Sequence, residues 1–233
     1  MRTKFVVCMG IVLLGVAGAG AASENTAGSW ANPVFVQGPH AKMTVLPGAA
    51  VQNVAEPNNN RSGLVTIFSS LATKYPKGVY WCCTGYNVMG ANSGVGVQWM
   101  GGAFTPHANR TVTEIEVAAG YSGQGPNGVV ISLNEDKDGV PGKALKSWNV
   151  KNLPTFGTCC VTVVEKDRNG IAVSAGKPYW VVLSTSSNES DTVDGWNVSD
   201  ADQVDQADTA SWDGSIWHPF QTAPGVAFAV RGN

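Results

Sequence analysis

Four of the five cysteines in this 233-residue chain stand as adjacent pairs, Cys82-Cys83 and Cys159-Cys160. Successive residues of a strand point to opposite faces. Two such pairs on neighbouring strands can therefore be bridged on either face. Antiparallel neighbours favour Cys82–Cys160 with Cys83–Cys159, and parallel neighbours favour the other cross-pairing. Closure within each pair is the third connectivity. A Cys82–Cys160 bridge closes a loop of about 78 residues and contributes roughly 4–4.5 kcal/mol by chain entropy, less any strain. Disulfide staples are the expectation. Zinc thiolate sites favour a spacing that lets both sulfurs converge, and redox pairs favour C-x-x-C.

The second chemical feature is acidic. Asn134-Glu135-Asp136-Lys137-Asp138-Gly139 matches the opening of a calcium loop, in which oxygens at alternate positions converge on a hard cation. Asn134, Asp136 and Asp138 are the candidate calcium ligands, and calcium is the one cofactor suggested. The twelfth position is Leu145, where an EF-hand has its bidentate Glu. The competing reading is a polar β-turn before Pro141-Gly142.

A longer acidic stretch holds Glu189, Asp191, Asp194, Asp200, Asp202, Asp205, Asp208 and Asp213, with no Lys or Arg between Pro178 and Val230. Trp196, Trp212, Trp217 and His218 are interleaved with it. Flat indoles stack on sugar rings and carboxylates accept hydroxyl hydrogen bonds. Trp196, Trp212, Trp217 and Asp213 are therefore the candidate ligand-binding residues. The alternative is that these tryptophans fill the core.

No catalytic residue is expected. The chain has no G-x-S-x-G elbow, no H-E-x-x-H and no phosphate loop. His40, His107 and His218 are isolated, each beside a proline. Glu114 and Glu116 share one strand face, and their spacing reads as a solvated edge more than as a glycosidase pair.

These residues need a scaffold. Only 14% of residues are charged and the formal net charge is −2, which argues against a strongly basic nucleic-acid binder. After the N-terminus no apolar run reaches membrane-spanning length. Residues 1–22 read as a signal peptide: Arg2 and Lys4, an apolar run from Phe5 to Val16, then Ala19-Gly20-Ala21 before the cut. Its removal takes two cations and Cys8, and it places the four remaining cysteines in an oxidising compartment. Residues 23–62 read as a linker or extended segment, with lone strands at Val34-Phe35-Val36 and Met43 to Leu46.

Residues 63–233 read as one β domain. Thr113, Ile115 and Val117 alternate with Glu114 and Glu116, and Val129, Ile131 and Leu133 alternate next. Val161 to Val164, Tyr179 to Leu183 and Val226 to Val230 are largely apolar on both faces. Turn signals fall between the runs at Gly125-Pro126-Asn127-Gly128, Asp138-Gly139, Pro141-Gly142, Asn169-Gly170 and Asp213-Gly214. Ser69 to Lys74 is the best helix candidate. The pattern predicts an all-β, antiparallel, jelly-roll-like β-sandwich behind a loose N-terminal leader.

Several short runs resemble the exported bacterial choice-of-anchor domains of the R type. They are Leu64 to Ser69, Tyr86 to Gly90, Ala103 to Pro106, Leu133 to Gly142, Pro154 to Cys160, Ala175 to Trp180 and Gly195-Trp196. The resemblance covers residues 63–233 and implies a β-sandwich on exported bacterial proteins. The chain departs from that group after Val230, where it reads Arg231-Gly232-Asn233 without a hydrophobic tail, so free secretion is expected over anchoring. The expected function is a non-catalytic extracellular module that binds glycan. The alternative is a structural or matrix domain that contacts surface proteins, with a glycoside hydrolase or lyase third.

Overall fold

Short β-branched runs broken by glycine turns set the architecture. The structure, a computed structural model, describes residues 34–36, 63–71, 80, 84–94, 96–158, 162–188, 190–199, 208–220 and 225–233. The strands are β1 Val34–Val36, β2 Val65–Ser69, β3 Thr84–Met89, β4 Trp99–Phe104, β5 Arg110–Val117, β6 Ala119–Gln124 and β7 Gly128–Lys137. They continue with β8 Val140–Lys151, β9 Val163–Val173, β10 Tyr179–Ser184, β11 Val193–Asn197, β12 Thr209–Trp212, β13 Trp217–Phe220 and β14 Phe228–Gly232. Among the described residues the one helical piece is a 3-10 turn at Ala91–Ser93. The chain is all-β, as its turn spacing predicts.

Three sheets build the sandwich. A six-stranded sheet runs β13-β12-β4-β10-β7-β8, and two four-stranded sheets run β1-β3-β11-β6 and β2-β14-β5-β9. Backbone bonds through Ala118, Asn197 and Ala227 tie the two smaller sheets together. Tyr86, Trp196, Ile115, Phe228, Met100, Leu133, Val181 and Leu183 draw side chains from all three sheets into one core. Among the described strands, pairing is antiparallel except for β1 on β3, which is parallel. That pairing gives the predicted strand at 34–36 a partner.

Some local expectations fall differently. Ser69 closes β2 and does not start a helix; Lys74 lies outside the described residues. Asn169-Gly170 is no turn between strands. It is part of an irregularity inside β9, where the register to β5 shifts between Val112 and Glu114. Asp167 accepts the Asn169 and Gly170 N–H groups there and pairs with Lys146 at 3.0 Å. Pro141-Gly142 lies within β8, after the turn and not in it.

Glu114 and Glu116 correct the expectation of a solvated edge, since both are buried. Their face of the sheet also carries Ala229, the cross-strand partner of Glu116, which packs with Leu71 and Tyr80. The alternation read correctly, but the polar side of the strand is covered. Arg231, opposite Glu114 on β14, compensates the charge. Its Nη1 donates to Glu114 Oε1 at 3.2 Å and to Glu116 Oε2. Lys166 Nζ stands 3.9 Å from Glu114 Oε2.

Cys82, Cys83, Cys159 and Cys160, like residues 1–33 and the possible strand from Met43, lie outside the described residues. The described residues flanking the two pairs do meet. Tyr80 Oη donates to the Thr158 carbonyl at 3.3 Å. Gly85 faces the Phe156 ring so closely that a Cβ there would stand 3.0 Å from it.

Candidate functional site

Alternation gives the six-stranded sheet two dissimilar faces. On β10, Tyr179, Val181 and Leu183 enter the core, while Trp180 and Val182 join a second cluster with Ala210, Ala103 and Trp217 on the outer side. On β4 the core takes Met100 and Phe104, which leaves Trp99, Gly101 and Ala103 outward. The outer face is therefore aromatic and small-residue rich, and its edge strand is β13.

A row of three indoles crosses this face to the edge. Trp212 pairs across strands with Trp99 on one side and Trp217 on the other. Trp99 and Trp212 stack at 5.9 Å with a 19° interplanar angle, and Trp212 and Trp217 lie 5.8 Å apart at 52°. All three are half-buried. Trp99 Nε1 donates to Thr185 Oγ1 at 2.9 Å, which fixes the inner end of the row.

The hairpin joining β12 to β13 carries the polar partners. Asp213 Oδ1 accepts the N–H of Ser215 at 2.8 Å, the N–H of Ile216 at 2.9 Å and the Ser215 hydroxyl at 2.8 Å. Asp213 Oδ2 lies 2.7 Å from His218 Nε2. The His218 hydrogen bond, then those from the Ile216 N–H and from Ser215, hold the Asp213 carboxyl well below the usual carboxylate range. An exposed, rigid carboxylate with a histidine beside it thus flanks the indole row.

A second station lies at the end of β4, where the outward Ala103 and Trp180 meet the core rings Phe68 and Phe104. A cavity of about 290 Å³ is lined by Trp180, Asp136, Asp208, Phe68, Phe104 and Thr105, among others. Trp180 Nε1 donates to Asp136 Oδ1 at 2.7 Å, and Gly139 N–H donates to Asp136 Oδ2 at 3.2 Å. The tip of the β7–β8 hairpin folds onto the sheet here. A Cβ on Gly101 would meet Pro141 at 2.9 Å and Trp180 at 3.2 Å, so only glycine admits this approach. Trp180 and the indole row are four residues apart along β10, which is about 13 Å.

The predicted site residues separate into three groups. Trp212, Trp217 and Asp213 come together, with His218, on one hairpin. Trp196 does not join them: it is 0% exposed, packs edge-on to Phe228, and its Nε1 donates to the Ala227 carbonyl at 2.9 Å. It is a core residue, because β11 lies between β3 and β6 and points Trp196 inward. The third group, Asn134, Asp136 and Asp138, forms a hairpin. Lys137 pairs with Val140 around Asp138 and Gly139, whose φ values of 56° and 80° fit a two-residue primed turn. Asn134 Oδ1 accepts from Ser132 Oγ at 2.7 Å, and both Asp136 oxygens already accept bonds. Among the described residues no three His, Cys, Asp or Glu side chains group around a common cation position.

Two contributors, Trp99 and Trp180, were not singled out from the sequence. The available signal was their setting. Trp99 precedes the Gly101-Gly102 pair, and Trp180 follows an inward Tyr179, so each indole had to face away from the core. No protein-family model, curated protein or solved structure matches this chain.

Proposed function

We propose that the chain is an exported, non-catalytic β-sandwich module that holds an extracellular glycan on the outer face of its six-stranded sheet. The row Trp99–Trp212–Trp217 carries this reading. Cross-strand indoles that hold one another leave apolar ring surface to meet sugar C–H groups at little cost in side-chain entropy. Asp213 accepts sugar hydroxyls, and His218 holds it in place. Glu114 and Glu116 are read as structural and not as an acid–base pair, because both are buried and tied to Arg231, with Lys166 beside Glu114. The signal-like leader and the resemblance to choice-of-anchor domains support the export part of the reading.

Retention of the full chain on insoluble polysaccharides tests it. Trp217→Ala should weaken retention on the order of tenfold, as loss of an aromatic anchor does. Calcium and EDTA should give equal retention, because among the described residues no three acidic or histidine side chains group around a common cation position at the β7–β8 hairpin. Absence of retention on every neutral and charged polysaccharide would overturn the glycan reading. It would favour the alternative, a protein-contact domain, for which Ile216, 56% exposed at the same hairpin tip, is the observation in hand.

A further inference from the structure

The Trp180 cavity is built for a different chemistry from the indole row. Two carboxylates, Asp136 and Asp208, line it, and no Lys, Arg or His does among its described residues. The nearby cation Lys177 is engaged elsewhere: its Nζ stands 3.5 Å from Glu135 Oε1 and 5.4 Å over the Tyr179 ring. Asp136 is held from two sides, by the Trp180 indole N–H and the Gly139 N–H, so its orientation is set before any ligand arrives. Both donors are neutral, so neither compensates its charge. A carboxylate has about four lone-pair sites, and two donors leave acceptor capacity toward the cavity. Asp208 also lines the cavity and is exposed, and its carbonyl accepts the Ala103 N–H at 2.8 Å. The remaining wall is apolar, from Phe68 and Phe104, which lie 6.0 Å apart.

We infer that this cavity binds a protonated amine carried on an apolar or sugar frame, with the ammonium between Asp136 and Asp208 and its frame against Phe68. An ammonium offers donors and no acceptor, which fits a lining with two anionic acceptors and no basic group. An anion would meet uncompensated like charge there. A neutral sugar would leave one or both carboxylates without a charged partner. The cavity volume suits a single small ring or a short alkyl amine, not a polymer chain in its length. The amine can arrive as a free small cation or as an amino sugar within a glycan. The recognising chemistry is the same.

Titration of the full chain by calorimetry, with three probes, tests the inference. The probes are a glucosamine oligosaccharide, its fully N-acetylated counterpart and a free alkyl ammonium. The amine-bearing oligosaccharide should bind at least tenfold more tightly than the acetylated one at pH 6, because a hydrogen bond to a charged group is lost on acetylation. Asp208→Asn should remove most of that preference. Asp208 is exposed, so this variant should fold as the parent does. Asp136→Asn keeps an oxygen for Trp180 and should remove the preference too. The preference should also shrink as salt rises.

Equal affinity for the amine and its acetylated form would overturn the inference. A preference that survives both substitutions would do the same. Binding of the free ammonium alone would support the cavity as a small-amine site. The indole row gives an independent readout. Neutral oligosaccharide binding that is lost in Trp217→Ala, without any amine preference, sinks this inference and leaves the glycan reading standing. Amine binding without any neutral glycan binding does the reverse.

Discussion

Asp194 on β11 should contribute stability that is lost as the pH rises from acid to neutral. It is 0% exposed, on the same face of its strand as Trp196, and its cross-strand neighbours are Val88 and Tyr121. Neither carboxylate oxygen has a well-formed hydrogen bond among the described residues. Burial pushes the carboxyl up from the ordinary 3.8 to about 8, against a smaller opposing pull from the Gly128 backbone N–H. The unfolded chain releases this proton near pH 3.8, whereas the folded chain keeps it until about pH 8. Between those values the unfolded state binds fewer protons, so stability falls with pH at up to about 1.4 kcal/mol per unit. The full contribution is present below the lower value. Over the window the loss sums to about 5–6 kcal/mol, an appreciable share of a typical domain's stability of about 5–15 kcal/mol. Asp194→Asn replaces the protonated acid with a neutral group of the same shape. Urea unfolding of both proteins from pH 4 to 9, followed by tryptophan fluorescence, isolates the one group, since all other titrations are shared. At pH 4 the two stabilities should lie within about 1 kcal/mol. The variant should then gain on the parent through pH 8 and hold a constant lead above it. A difference that does not change with pH would refute the reasoning.

Arg231→Met strips the cation from two buried carboxylates and should cost about 3–5 kcal/mol. The triple variant with Glu114→Gln and Glu116→Gln should recover most of it; a loss below about 1 kcal/mol in the single variant would show that the pair is not stabilised by Arg231. Trp196→Ala removes a core indole and its bond to Ala227, and should destabilise by about 3–5 kcal/mol in urea melts while leaving neutral glycan affinity unchanged in the folded protein. The Tyr80–Thr158 contact brings the flanks of the two cysteine pairs together. A non-reducing peptide map should therefore link the Cys82-Cys83 peptide to the Cys159-Cys160 peptide, and free thiols or rings within each pair would refute the staple. Gly139→Ala places a side chain at a φ of 80° and should cost about 1 kcal/mol, read as a lower urea midpoint.

The readings that succeeded were those carried by strand periodicity and turn chemistry. Val129, Ile131 and Leu133 alternate into the core because the period-2 pleat admits no other placement once one face is buried. Asp138-Gly139 and Asp213-Gly214 sit at hairpin tips because their neighbours are strands and their own conformations suit tight turns. Asn169-Gly170 shows the limit of that signal. The same dipeptide chemistry serves a turn or an irregularity within a strand, and only the pairing of β9 with β5 chooses between them.

Residue type and local pattern determined that the chain is all-β, that Tyr179 to Leu183 has two buried faces, and that the 134–139 segment turns sharply. Tertiary structure alone decided the roles. Trp196 and Trp212 are the same residue type in one acidic stretch, yet one lies between two sheets and the other on an outer face. The difference is set by which strands flank β11 and β12, a contact between segments far apart in the chain. Glu114 and Glu116 look solvated until Arg231, over a hundred residues later, is paired beside them. The Trp180 cavity joins β2, β4, the β7–β8 turn and the start of β12, so no local window contains it. Periodicity fixes which way a side chain points; what it then meets depends on non-local pairing, which short-range pattern does not encode.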